Sequence, residues 1–184
     1  MFDKQESASA LVPGASTTGP WSDGALTESG RFVKAKILAA APTPNQPPTP
    51  GTLSGRIALR AVIDNQFVCA DNAGQSPLIP NRDAAQGWEQ FDVIKNGDGT
   101  ISLRAVANGK IVCAENAGQS ALIANRDAIS TWEKFDAIDN GDGTVSFRSK
   151  ANGKIVCAEN AGQSALIANR DAISTWEKFR VVQQ

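Results

Sequence analysis

Histidine and tyrosine are both absent from the 184 residues, and cysteine is limited to three. Without histidine the chain lacks the commonest general base and the commonest metal ligand together, so neither a metal centre nor a cofactor is indicated. Three cysteines are an odd count and cannot close a disulfide framework. No run approaches the roughly 18 apolar residues of a membrane span, and no membrane partner is indicated. Charge of one sign is missing too. Residues 1–50 carry four acids and four bases, residues 51–184 carry fifteen and fourteen, and the net charge is −1. Neither part offers a basic face, which argues against nucleic acid as a partner. The opening Met1–Ser7 sets acids and polar residues where a secretory signal needs a basic head and an unbroken apolar stretch. The short run Ile37–Ala41 lies too far in to replace it. The expectation is a chain that does not leave a cell by the ordinary export route.

What is present is repetition. Residues 107–135 read ANGKIVCAENAGQSALIANRDAISTWEKF, and residues 151–179 read the same, letter for letter, at an offset of 44. A further step of 44 back gives a diverged copy, IDNQFVCADNAGQSPLIPNRDAAQGWEQF, at 63–91. Cys69, Cys113 and Cys157 keep the period, as do Trp88, Trp132 and Trp176. In the middle copy, strand-like runs fall at Ile101–Ala105, Lys110–Glu115, Ala121–Ala124 and Trp132–Ile138, with period-2 alternation clearest in the first. Asn108-Gly109 and Asn152-Gly153 read as type I′ hairpin turns, and Asn96–Gly99 and Asn140–Gly143 as turns between copies. Three copies of four short strands give an all-β chain, a β-trefoil of three 44-residue repeats. The lobes are placed at 51–96, 97–140 and 141–184. One copy cannot bury its own apolar side, so the three must close on one another.

The pattern GKIVCAENAG…LIANR…WEKF resembles the fascin-like β-trefoil. Within that type it is similar to carbohydrate-binding modules attached to bacterial β-glucan-degrading enzymes. The resemblance covers residues 51–184 and implies up to three sugar sites, one per lobe, built on the lobe's Trp and acidic residues. It also implies a polysaccharide partner, with β-glucan as the candidate. Phe67, Ile111 and Ile155 stand where such modules often carry Tyr.

The residues themselves suggest which side chains could meet a ligand. Strand alternation through Trp132–Ala137 puts Phe135 and Ala137 on one face and Trp132, Lys134 and Asp136 on the other, wet face. Trp132 should therefore point outward, with Trp88 and Trp176 alike, unless a bulge turns each ring into the core. A sugar's C–H face suits an outward Trp. Asp71, Glu115 and Glu159 follow each Cys at the mouth of an Asn-Ala-Gly loop, where an acid could accept from vicinal hydroxyls or simply be a solvated loop charge. Asn81-Arg82, Asn125-Arg126 and Asn169-Arg170 sit at the next junction, each followed by Asp. An Arg–Asp ion pair holding the loop and a polar sugar contact are equal readings there. The cysteines read as small buried hydrophobes. Asp139–Gly143 invites a calcium reading that fails, because Ile138 and Ser149 stand where ligating acids are needed. No pair of carboxylates is set apart as acid and base, so no catalytic residue is assigned and the chain reads as a non-enzyme.

The first fifty residues differ in kind. Residues 1–30 are rich in Ser, Thr, Gly and Ala; Arg31–Ala41 is more apolar and could form one strand or short helix; 42–50 is a stiff Pro-rich spacer. Trp21, Phe32, Val33, Ile37 and Leu38 point to an arm, residues 1–41, that orders by docking onto a larger assembly. A glycan-binding trefoil on a docking arm fits a phage capsid or tail decoration protein at the virion surface. The alternatives are a free or enzyme-derived carbohydrate-binding module, extracellular or cytoplasmic; a structural decoration with no ligand; and actin bundling, against which a single trefoil argues.

Overall fold

The structure, a computed structural model, describes residues 21–22, 25–26 and 53–184. Within the first unit, residues 1–43, Trp21–Ser22 (β1) pairs antiparallel with Ala25–Leu26 (β2). The remainder of the expected arm, Arg31–Ala41 with it, and the spacer at 42–50 lie outside the described residues.

The repeats build the second unit. Lobe one contributes Gly55–Ala61 (β3), Phe67–Ala70 (β4), Leu78–Arg82 (β5) and Gln90–Lys95 (β6). Lobe two contributes Ile101–Ala105 (β7), Ile111–Ala114 (β8), Leu122–Arg126 (β9) and Phe135–Asp139 (β10). Lobe three contributes Val145–Ser149 (β11), Ile155–Ala158 (β12), Leu166–Arg170 (β13) and Phe179–Gln183 (β14). The first and fourth strands of each lobe pair with each other and with those of the next lobe. That gives the closed antiparallel ring β3–β6–β7–β10–β11–β14–β3. The second and third strands form one hairpin per lobe, β4–β5, β8–β9 and β12–β13. A six-stranded barrel carrying three hairpins is the β-trefoil, and closure leaves the barrel no free edge.

Alternation explains the core. Ile57, Leu59 and Ala61 of β3 point inward, as do Ile101, Leu103 and Ala105 of β7, and Phe91, Phe135 and Phe179 start the inner face of the fourth strands. Each fully buried Phe contributes about 1.5–3 kcal/mol of burial. The β4, β8 and β12 strands are buried along their whole length, and Cys69, Cys113 and Cys157 sit in them as free, fully buried thiols.

Two local expectations change. The loops at Asn108-Gly109 and Asn152-Gly153 are not type I′ turns: only the glycine takes positive φ, 71° and 74°. The loop is longer, spanning Ala105 to Lys110, with Gly109 N–H donating to the Ala105 carbonyl and Ala105 N–H to that of Lys110. Asn108 Oδ1 accepts from Lys110 N–H, which turns the chain without a left-handed Asn. The second change is at the tryptophans. They precede the fourth strand and lie on one-turn 3₁₀ helices, Gly87–Glu89, Thr131–Glu133 and Thr175–Glu177.

Candidate functional site

The tryptophans face outward, though not by strand alternation. Trp88 is 42% exposed and Trp132 37%, while Trp176 is half-buried. What fixes each ring is the glutamate that follows it. Glu89, Glu133 and Glu177 are buried, and each takes the backbone N–H three residues earlier, from Gln86, Ser130 or Ser174, at 2.8 Å. That bond satisfies an orphan donor at the start of the helical turn, half of a capping box. With the glutamate anchored inside, the preceding residue is driven out to solvent.

Each buried glutamate also meets an arginine. Arg126 Nε lies 3.9 Å from Glu133 Oε1, and its NH2 lies 2.7 Å from Glu115. Arg170 lies between Glu177 at 3.8 Å and Glu159 at 2.7 Å, and Arg82 between Glu89 at 3.9 Å and Asp71 at 2.8 Å. The expected ion pair of each Arg with the Asp after it is therefore not the one formed. Asp127 and Asp171 take Lys110 and Lys154, and Asp83 takes Gln66.

Asn125 and Asn169 donate to the same oxygen of Glu115 and Glu159 that the arginine holds, at 2.7 and 2.6 Å. Lobe one differs. Asp71 is one methylene shorter, and Asn81 Oδ1 is buried without a hydrogen-bond partner. Behind the acid the Asn-Ala-Gly loop runs left-handed for three residues, Asn116, Ala117 and Gly118 at φ 51°, 54° and 79°, and likewise in the other lobes. Only the glycine holds that conformation without cost. Nor does the glycine have room for a side chain: a Cβ on Gly118 would fall 2.3 Å from Asn152 Nδ2 of the next lobe.

Of the residues expected at the sites, Glu115, Asn125 and Arg126 bond to one another in lobe two, and Glu159, Asn169 and Arg170 do so in lobe three. In lobe one Asp71 bonds Arg82 without the Asn81 side chain. Trp88, Trp132 and Trp176 stand on the turns whose glutamates meet these arginines. A shallow surface pocket is lined by Trp88, Arg82, Asp83, Gln86 and Glu89 in lobe one, and by Trp176, Arg170, Asp171, Ser174 and Glu177 in lobe three. The buried glutamates were missed by sequence reasoning, although Ser130-x-x-Glu133 and Ser174-x-x-Glu177 carry the capping-box spacing. Beneath the cluster the thiols are inert as nucleophiles. Burial, reinforced by Glu89, pushes Cys69 up to about 12, and Cys113 and Cys157 rise for the same reasons beside Glu133 and Glu177. The Asp139–Gly143 segment is a turn whose side chains are engaged within the protein. Asp142 takes Thr144 and Lys178, and Asn140 donates to Thr144 and Ser146.

No protein-family model matches the chain. Endoglucanase A of Evansella cellulosilytica is 49% identical over 46 residues, 25% of this chain and 9% of that protein, so the match spans about one lobe and a small part of its relative. Among solved structures, the designed three-fold symmetric protein ThreeFoil aligns with a TM-score of 0.65 at 24% identity, over 71% of this chain and 100% of that one. A ricin B-like lectin of Macrolepiota procera in complex with lactose aligns with a TM-score of 0.60 at 11% identity, over 71% and 97%. These likenesses confirm the β-trefoil.

Proposed function

We propose that the chain is a non-catalytic glycan-binding protein in which each lobe offers polysaccharide a shelf of one Trp, one Arg, one Asn and one acid. The observation that carries this reading is an outward Trp on a capped, rigid turn beside a pre-formed hydrogen-bonding cluster, built three times over. An exposed indole presents an apolar face that sugar C–H groups can cover, and convergent polar groups beside it fix hydroxyl orientation. The lactose complex of a trefoil neighbour and the one-lobe similarity to an endoglucanase support a carbohydrate ligand, with β-glucan the first candidate. A non-catalytic role fits a cluster with no histidine and no reactive thiol, in which both carboxylates of a lobe clamp one arginine. We propose further that residues 1–41 dock the trefoil onto a larger assembly, a phage capsid or tail, so that the lobes hold the particle on glycan surfaces. This reading rests on the apolar residues of the arm and the spacer that follows it.

Single sites of this shallow kind are weak, and a polymer engaging several lobes gains by multivalency. Trp132→Ala and Trp176→Ala should each remove one site, and the double variant should lose far more polysaccharide retention in affinity electrophoresis than either alone. Melting temperatures should stay close to the parent, because the rings support no core. Retention unchanged in the double variant would overturn the Trp shelves, and a parent that is not retained would be an inert decoration. Comparing the full chain with residues 51–184 for co-sedimentation with virions tests the arm.

A further inference from the structure

The three junctions between lobes share one cross-strand pairing, and at the third its charge is reversed. Asp92 of β6 lies opposite Arg104 of β7, and Asp136 of β10 lies opposite Arg148 of β11, although the direct ion pairs of these acids are with Arg56 and Lys150. Where the last strand closes the barrel, β14 meets β3 with Arg180 opposite Arg60. Side chains at such positions leave the sheet on the same face, with Cβ atoms about 4.5–5.5 Å apart, and like charges there are destabilising. Neither arginine has an acidic partner among the described residues. Arg180 is exposed and its side chain makes no hydrogen bond or ion pair there. The neighbouring charges do not relieve the pair: Lys178 is engaged by Asp142, and Arg56 by Asp92.

Arg60 cannot swing away. Its Nε donates to the Asn65 carbonyl at 2.7 Å, and its guanidinium lies 5.1 Å from the centroid of the Phe67 ring. Neither hold recurs at Arg104 or Arg148: neither arginine donates to the Gly109 or Gly153 carbonyl, and Ile111 and Ile155 replace Phe67. Two planar guanidinium forks on adjacent strands, one of them immobilised, form an arrangement suited to bidentate capture of an oxyanion. The row continues across the sheet. Arg60 lies opposite Phe67 and Phe67 opposite Arg82, so Arg60 sits about 10 Å, two strand spacings, from the arginine that lines the Trp88 pocket, and Arg180 one strand further.

We infer that Arg60 and Arg180 form an oxyanion site at the closing junction, taking a carboxylate or a sulfate or phosphate ester. Placed in line with the lobe-one shelf, it would accept the acidic group of a uronic or sulfated sugar whose neighbouring residue stacks on Trp88. The choice of a glycan as carrier of the anion rests on the proposed function; the anion site itself does not.

Titration of the full-length protein with sodium sulfate at constant ionic strength, followed by the arginine side-chain NMR signals, tests the site. Arg60 and Arg180 should respond together. Arg180→Asp, which restores the pairing of the other junctions, should weaken sulfate by about tenfold or more. Arg180→Gln should weaken it too, whereas Arg104→Gln, the same charge change at another junction, should leave it intact. No response of Arg60 and Arg180, or equal affinity in Arg180→Asp and Arg104→Gln, overturns the site. The carrier is read by affinity electrophoresis in carboxymethyl cellulose against hydroxyethyl cellulose. Tighter retention by the carboxylated polymer, lost in Arg180→Asp, assigns the anion to the glycan. Equal retention with sulfate still bound overturns that assignment and makes the site one for free anions. Replacement of all three shelf tryptophans by Ala separates the two readings, since it should abolish retention in the neutral polymer and leave the sulfate response unchanged.

Discussion

Lobes two and three hold their hairpin loops against a neighbouring lobe with asparagine; lobe one does it with aspartate. Asn108 Nδ2 donates to the Ala124 carbonyl of its own lobe at 2.8 Å and to the Gly74 carbonyl of lobe one at 3.3 Å, and Asn152 donates to Ala168 at 2.8 Å. Asp64 occupies the same place against Gly162 of lobe three, where a Cβ would fall 1.9 Å from its Oδ2. A carboxylate cannot donate to carbonyls, and Asp64 Oδ2 is buried without a partner. In the same lobe the acid at position 71 is shorter and Asn81 Oδ1 is left without a partner. Among the described residues, lobes two and three leave no buried side-chain nitrogen or oxygen without a partner, while lobe one leaves two such oxygens, on Asp64 and Asn81. The symmetric fold tolerates this because the apolar positions of lobe one are preserved.

The largest expected effect tests what the lobes share. The glutamate behind each Trp is built alike in all three, so Glu89→Ala, Glu133→Ala and Glu177→Ala should each cost about 2–3 kcal/mol, chiefly through an orphaned backbone N–H, with the looser contact to a partly exposed arginine adding little. Each should also release its Trp turn and remove one glycan site. Urea denaturation gives the comparison, and a much smaller loss for Glu89→Ala would mean that lobe one departs even in its clamp.

Next in size is the defect itself. Asp64→Asn should stabilise the protein by about 1–2 kcal/mol, because it supplies the missing donor at an unchanged shape. Asn152→Asp should destabilise by a similar amount. If both changes proved neutral, the carbonyl bonds of Asn108 and Asn152 would carry no stability and the contrast between lobes would be cosmetic.

These contrasts were only partly visible in the chain. The trefoil was legible because the 44-residue period, Cys69 to Cys113 to Cys157, forces three equivalent units, and because alternation in Ile101–Ala105 is unambiguous. The site residues were legible as types, since Trp, acid and Asn-Arg recur together. Their partners were not. Arg126 bonds Glu115 and Glu133, eleven and seven residues away, through strand pairing and a helical turn that local alternation cannot express. Trp132 was read as a strand residue because the 3₁₀ turn is a single turn, too short for periodicity. The unsatisfied Asp64 could not be seen at all, because its neighbour Gly162 lies ninety-eight residues on.

A smaller effect is expected at the acid of lobe one. Asp71→Glu adds the methylene that lets Glu115 and Glu159 reach both Asn and Arg, and should gain about 0.5–1 kcal/mol by accepting from the Asn81 side-chain N–H. It should also bring the oligosaccharide affinity of lobe one toward that of the other two, measured by calorimetry in a Trp132→Ala, Trp176→Ala background. An affinity that stayed distinct would place the difference in Gln86 and Gly87 instead.

The smallest expected effect is one of pH, and it belongs to lobes two and three alone. Lys134 with Thr100 holds the Asp98 carboxyl well below the usual carboxylate range, and Lys178 with Thr144 holds Asp142 at about 2, against an ordinary 3.8. Lobe one has Gln90 and Ser54 at these positions and no such ion pair. A carboxyl whose folded value lies below its unfolded one takes up a proton on unfolding, so its contribution is whole above about pH 4 and is lost as pH falls toward 2. Asp142→Asn should therefore melt slightly below the parent at neutral pH, and the gap should narrow below about pH 4 as pH falls toward 2. Both partners are partly exposed, Lys178 at 28% and Asp142 at 46%, so added salt should narrow the neutral-pH gap as well. Ser54→Asp combined with Gln90→Lys should build the same acid-sensitive pair into lobe one. A gap that stayed constant from neutral to acid pH would show that Asp142 acts through its turn bonds to Thr144 rather than through its charge.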